Sequence, residues 1–290
     1  MTFSLAQMLG RACPRIDIVD VGAMALGDKP DYAAILATGQ CNVVGFEPVQ
    51  AECDKLNAMK HKDHTYLPYF IGDGTEQTFH LTNFSMTSSL YKPNARLLAH
   101  FNQLLELTTV VDTFKVQTKR LDDIPEISNL DMLKIDIQGA EYDCFRGANR
   151  LLSDALLIWT EVEFVQMYEN QPLFAEVDIE LRRCNMMFHN FISLSGRAFK
   201  PVMPSEGVHA YIRQQLWSDV IYLRNIMTID ELSEEKMLKL AVLSHDLLSS
   251  FDYTQLVLQH YDRKFKKNLW KVYMRRLVNG DPGEPTLGKD

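Results

Sequence analysis

At 290 residues, 46% of them apolar and 10% aromatic, the chain has material for a sizeable core, as one large domain or a domain with an extension. That composition excludes general disorder, and a net charge of -8 argues against broad nucleic-acid binding. No apolar run reaches the roughly 18 residues of a membrane span, so no transmembrane segment is expected.

The opening "MTFSLAQMLGRACPRIDIV" lacks the basic-then-apolar layout of a secretory signal. "RIDIVDVGA" then reads as a buried strand that meets a turn at Gly22. "YAAILATG" is a helix stopped by glycine, "CNVVGFEP" a second strand ending at Glu47 and Pro48, and "AECDKLNAMK" a helix. "TYLPYFIGDGTEQTFHLTN" reads as two strands around a tight Gly-Asp-Gly turn, the pattern of a hairpin. A helix over residues 93–107 follows, and "TFKVQTKR" is a further strand. "LDMLKIDIQGAEYDCF" supplies a strand that reaches Asp136, then a glycine and a helix. "LLIWTEVEF" is a strand, "PLFAEVDIELRRC" a helix, and "MFHNFISLS" and "SDVIYLRNI" are late strands.

Strands alternating with helices predict an α/β domain with a mostly parallel sheet flanked by helices, over residues 1–227. The near-continuous apolar runs "IDIVDV", "NVVGF" and "MLKIDI" suit strands covered on both faces. From Thr228 the pattern turns helical, with Thr228 and Glu231 at capping-box spacing, predicting a helical extension over 228–278. The Gly/Pro-rich tail, 279–290, reads as disordered. "DRKFKKNLWKVYMRR" carries seven basic residues among aromatics. It reads first as the solvated face of a packed helix; a membrane or nucleic-acid contact, a homodimer contact and a lid over the site are the other readings. The five cysteines are odd in number and scattered, which suits packing residues of a cytoplasmic protein rather than a disulfide framework.

Open parallel sheets bind ligands beyond the carboxyl ends of their strands, near the point where strand order reverses. The strand ends here carry Asp20 and Gly22, Glu47, Gly72 and Asp73, Asp136, and then Glu161 and Glu163. Glycine at 22 lets backbone turn tightly against a ligand. A carboxylate at 47 is placed to accept both hydroxyls of a ribose; the plainer reading is that it caps the next helix. "GAMALG" lacks the middle glycine of a dinucleotide fingerprint, which tilts the ligand towards a mononucleoside such as S-adenosylmethionine. In "NFSMTSSLYKP", hydroxyls such as Ser88 would contact a ligand from above the sheet or serve a polar turn.

The segments "DIVDVGAMALG", "VVGFEPVQAECDKLN", "YFIGDGTEQTFHL", "RLDDI" and "LDMLKIDIQGAEYDCFRGANRLL", in this order, resemble the FkbM family of S-adenosylmethionine-dependent methyltransferases. The block "KIDIQGAE", followed by "GA" and "EVEF", is the most specific part, and the resemblance runs from about Ile16 to Ile226. It implies the class I methyltransferase fold, which is Rossmann-like, and methylation of hydroxyls on natural products or sugars. One departure is Met24-Ala25-Leu26-Gly27, where the family often has Asn and a further Gly.

By that resemblance, Asp20, Gly22 and Ala23 line the methionine side of the cofactor, Glu47 holds the ribose, and Pro48 shapes the turn beside the adenine. Asp73 lies near the exocyclic amine, Gly72 before it belongs to the cofactor site, and Asp136 lies between cofactor and acceptor. An alcohol acceptor calls for a general base, typically worth about 10²–10⁴-fold. Asp136 and Glu161 are the first candidates, with Glu163 and His189 behind them, and no spacing demands a metal. The acceptor is expected to be a small molecule or glycan. The competing readings are a non-catalytic adenosyl-binding or scaffold protein, or a nicotinamide-dependent oxidoreductase.

Overall fold

A computed structural model describes residues 3–23, 30–59 and 61–279. The apolar runs become strands β1 (Ile16–Val21), β2 (Cys41–Phe46) and β3 (His64–Leu67), then β4 (Glu76–Thr82), β5 (Val110–Gln117), β6 (Met132–Ile135), β7 (Leu157–Glu163), β8 (Met186–Phe191) and β9 (Trp217–Arg224). Seven of them form one sheet in the order β3-β2-β1-β6-β7-β9-β8. Pairing is parallel from β3 through to β7, and β9 runs antiparallel between β7 and β8. Strand order reverses between β1 and β6, so their carboxyl ends flank the expected ligand crevice.

The strands bury both faces because alternate side chains point to opposite sides, and both sets are apolar. Ile16, Ile18, Met132, Leu157, Trp159 and Ile221 meet the helix Leu5–Leu9 and the late helices Glu234–Val242, Phe251–Phe265 and Leu269–Asn279. Val19, Val21, Leu133, Ile135, Ile158 and Val220 meet the helices Glu141–Arg146, Asn149–Asp154 and Phe174–Arg183 on the other face. Each fully buried Leu, Ile or Phe contributes about 1.5–3 kcal/mol. The cysteines are all free, and Cys13, Cys41, Cys53 and Cys144 are buried within this packing.

Three local expectations change. β3 and β4 do not form a hairpin: β3 adds to the main sheet beside β2, while β4 pairs with β5 in a separate antiparallel ribbon. The stretch 93–107 is not one helix but two, Ala95–Leu98 and Leu104–Leu107, separated where Gln103 takes φ 60°. The helix after residue 228 is capped by Ser233, whose hydroxyl accepts from Lys236 N at 3.2 Å, and Thr228 lies in a preceding 3₁₀ turn. A similar break at Lys266, φ 56°, separates the last two helices. Asp262 crosses it, accepting from Leu269 N at 2.8 Å and Trp270 N at 2.9 Å, so the last helix begins on a carboxylate cap.

The apolar stripe of that helix, Leu269, Val272 and Tyr273, faces the sheet. Several of its basic neighbours are tied locally, Arg263 to Asp230 at 2.7 Å and Lys267 to Glu234 at 3.2 Å. Among the described residues no helix is long and apolar enough to cross a membrane. The Met24–Gly27 loop and the tail beyond Asn279 lie outside the described residues.

Candidate functional site

Gly22 follows β1 at φ +87°, and a Cβ there would stand 2.2 Å from the Asp136 carbonyl oxygen. The end of β1 therefore passes directly against the end of β6, with Asp136 N donating to Val21 O at 3.1 Å. Gly22 N and Ala23 N both donate to Phe46 O at 3.0 Å, which fastens the same turn to β2. A cleft of about 400 Å³ opens above this junction. Asp20, Gly22, Ala23, Glu47, Pro48, Ser88 and Asp136 all line it.

The cleft has two chemical ends. Towards β3 its walls are Phe46, Val49, Tyr69, Ile71, Phe79 and Leu81, an apolar and aromatic slot. The Lys119 ammonium lies 3.4 Å from the Tyr69 ring centre and backs that wall. Towards β6 the walls become polar, with Asp20, Tyr32, Lys134, Asp136 and Gln138. Glu47 stands at the end of β2, only 2% exposed, with Oε1 accepting from Val49 N at 2.8 Å. That bond is the capping role; among the described residues its Oε2 takes no hydrogen bond. Burial raises the Glu47 pKa, and the Val49 N–H opposes the shift.

Asp20 accepts from the Tyr32 hydroxyl at 2.6 Å. Burial pushes its pKa up, while the Lys134 ammonium and the Tyr32 hydrogen bond hold it down. Lys134 itself is nearly buried in β6 and pairs with Asp136 at 3.6 Å. Its pKa is raised because the neighbouring Asp136 and Asp20 outweigh burial, which alone would lower it. Glu161 is not part of the cleft wall but is joined to it: Gln138 Nε2 donates to Asp136 Oδ1 at 2.9 Å and to Glu161 Oε2 at 3.1 Å. Directly across from Glu161 on β9 lies Asp219, which accepts from Ser193 at 3.0 Å. Burial first, then Asp136 and Glu163, raise the Glu161 pKa well above the ordinary carboxylate range.

Other sequence candidates stand elsewhere. Gly72 and Asp73 lie one and two residues beyond Ile71 and outside the cleft wall. Gly72 N donates to Lys119 O, and Asp73 Oδ1 accepts from both the backbone and the hydroxyl of Thr75, at 3.0 and 2.7 Å. Asp73 thereby serves its own turn. His189 is tied to the Ser250 hydroxyl at 3.0 Å, away from the cleft. Glu163 is buried, with its pKa raised by burial and by Glu141. Ser88 lines the cleft and also accepts from Thr82 N at 3.1 Å, so ligand-facing and turn-forming placements coexist there.

Tyr32, Lys134 and Gln138 are among the polar lining residues that sequence reasoning passed over. Lys134 had a visible signal, a lone cation inside the apolar run "MLKIDI". Tyr32 had none, because no local pattern in the sequence pairs it with Asp20, twelve positions earlier.

A mostly parallel sheet in this order, with a nucleoside-sized cleft at its reversal point, defines the class I methyltransferase fold. The methyltransferase FkbM domain matches residues 20–187. The chain therefore belongs to the FkbM methyltransferases, a family dependent on S-adenosylmethionine. It is similar to the 2-O-methyltransferase NoeI of Sinorhizobium fredii (strain NBRC 101917 / NGR234), with 37% identity over 68 residues. That match spans 22% of this chain and 28% of the relative. Among solved structures, magnesium protoporphyrin IX methyltransferase (ChlM) of Synechocystis PCC 6803 with bound SAM aligns at TM-score 0.38 and 9% identity, over 76% of each chain. Precorrin-6y C5,15-methyltransferase of Geobacter metallireducens GS-15 aligns at TM-score 0.36 and 10% identity, over 76% of this chain and 86% of that one. At such distances the family match and the strand order carry the assignment.

Proposed function

We propose that this protein transfers a methyl group from S-adenosylmethionine to a hydroxyl oxygen of a sugar, glycan or other small natural product. The observation that carries the reading is the row of carboxylates Asp136, Glu161 and Asp219 at the ends of β6, β7 and β9, beside a cleft of nucleoside size. These side chains present hydrogen-bond acceptors, so the group they receive is a proton donor such as a hydroxyl. The relative named as a 2-O-methyltransferase supports the same choice.

S-Adenosylmethionine, when bound, supplies an electrophilic methyl on a sulfonium. Glu47 Oε2 is the oxygen to accept the ribose hydroxyls, with Oε1 fixed by Val49 N–H. Tyr69 and Phe79 flank the apolar slot for the adenine, and Asp20 with Tyr32 and Lys134 forms the methionine end. In this assignment the adenine end is met by aromatic and aliphatic side chains rather than by Asp73. Asp136 and Glu161 orient the acceptor hydroxyl for in-line approach and take up its proton. Burial raises the Glu161 pKa, so Glu161 is the stronger base of the two when ionised and holds the proton once it is transferred.

Calorimetric titration with S-adenosylhomocysteine tests the assignment. Micromolar binding by the wild-type protein is expected, weakened in Glu47→Ala by about 1.5–3 kcal/mol, the effect of losing a charged hydrogen-bond acceptor. Equal affinity in the variant removes the ribose role of Glu47, and no binding by the wild type removes the methyltransferase reading. Transfer of labelled methyl to neutral sugars then tests the hydroxyl class.

A further inference from the structure

Gln138 stands at φ 57°, in the left-handed region that side chains other than Gly, Asn and Asp rarely adopt. The backbone around it is held from several directions. Ser89 Oγ donates to the Gln138 carbonyl at 2.6 Å, and Ile137 N donates to Glu141 Oε1 at 2.7 Å. Gly139 follows at φ +96°, where a Cβ would stand 2.8 Å from Gln171 Nε2. A backbone held in an uncommon conformation by this many contacts fixes where one side chain goes.

That side chain uses both of its N–H groups and its carbonyl oxygen at the cleft. The two N–H groups of Nε2 go to different carboxylates, Asp136 Oδ1 at 2.9 Å and Glu161 Oε2 at 3.1 Å. The Tyr168 hydroxyl shares its one proton between Thr87 O at 3.0 Å and Gln138 Oε1 at 3.2 Å, and together with the two carboxylates this sets which way round the amide stands. Two carboxylates at one rim repel each other unless a donor bridges them or one takes a proton.

We propose that Gln138 is a positioning residue that joins Asp136 and Glu161 into a single two-carboxylate unit facing the methyl acceptor. The acceptor clause rests on the methyl-transfer reading of the cleft; the bridge between the carboxylates does not. Because both N–H groups are used, the amide offers none to the acceptor, which meets carboxylate oxygens instead. The groups facing Glu161 are Asp136 from β6, Glu163 on its own strand, Asp219 from β9, Glu141 from the following helix, and the Tyr168 phenol. Lys134 reaches the unit through Asp136. The four carboxylates disfavour the ionised form of Glu161, and the Gln138 amide is a donor that favours it.

The test is an infrared pH titration of the protonated-carboxyl stretch in the whole protein, with Glu161→Gln used to assign the Glu161 band. Gln138→Met keeps the side-chain length and removes both donors. The midpoint of the Glu161 band is expected to rise by about one pH unit or more in Gln138→Met, the direction set by losing a hydrogen bond to the charged form. A midpoint equal to that of the wild type overturns the proposal. Should Gln138→Met fail to fold, Tyr168→Phe removes the hydroxyl that is shared between the amide and Thr87 O; it is expected to move the midpoint the same way by less, and an unmoved midpoint there also overturns the proposal. A titration of the same wild-type sample with S-adenosylhomocysteine reports separately on the cleft: absence of binding removes the acceptor clause, while the midpoint still decides the bridge.

Discussion

At the scale of single residues, the tightest constraint is Gly22. Its φ of +87°, and the 2.2 Å that would separate a Cβ there from Asp136 O, leave no room for any side chain. Gly22→Ala is expected to push the ends of β1 and β6 apart and reduce S-adenosylhomocysteine affinity at least about tenfold, a change of 1.4 kcal/mol; calorimetry showing wild-type affinity would contradict this. Glycine at this position was legible in the sequence, because a glycine directly after an apolar strand has few other uses. Glu47 was legible for the same reason, as a carboxylate at a strand end. Gln138 was not: an uncharged amide in "KIDIQGAE" announces neither its backbone angle nor the two carboxylates it reaches. Asp73 shows the limit of that signal, since a strand-end carboxylate can also serve its own turn, here through Oδ1 and Thr75.

At the scale of elements, the turn from β6 into the helix Glu141–Arg146 is organised by a buried carboxyl. Glu141 is 2% exposed and accepts from Ile137 N at 2.7 Å, and burial raises its pKa to about 7. A folded-state pKa above the unfolded value, here about 7 against 4.5, means the native state holds the proton more tightly. Its favourable contribution is full below about pH 4.5, is lost as pH rises towards about 7, and does not change further above that. Glu141→Gln keeps an oxygen for Ile137 N–H and removes the titration. Denaturation at a series of pH values is expected to show a shallower loss of stability between pH 5 and 7 in the variant. An identical slope would assign the titration to another group, with Glu163 the nearest alternative. Element types were mostly readable because apolar runs and glycine stops are local signals. Partners were not: β4 and β5 find each other across residues 83–109, and no local pattern distinguishes that ribbon from a β3–β4 hairpin.

At the scale of the molecule, the late helices share one core with the catalytic sheet. Met237, Leu240, Val257, Leu258, Tyr261 and Tyr273 pack in the same cluster as Ile16, Ile18, Met132, Leu157 and Ile221. Polar ties reinforce the junction. Lys239 reaches the fully buried Asp131 at 2.8 Å and Asp17 at 3.6 Å, beneath β6 and β1. Asp246 accepts from Leu5 N at 2.8 Å and Ala6 N at 2.9 Å, capping the first helix from the far end of the chain. The change of sequence character at residue 228 marks a change from sheet to helices, and the packing predicts that both unfold together. A chain ended at residue 227 would expose the helix-facing side of β1, β6 and β7 and leave Asp131 without its cations. Removing the partners of a buried charge costs about 3–5 kcal/mol, before any loss of apolar burial. That compares with a total stability of about 5–15 kcal/mol for a typical domain. Calorimetric melting of the full chain is therefore expected to give one transition with coincident loss of helix and tertiary signals, and the 1–227 fragment is expected to show none. Two separable transitions, or a folded 1–227 fragment that binds S-adenosylhomocysteine, would instead make residues 228–278 an accessory layer on an autonomous domain.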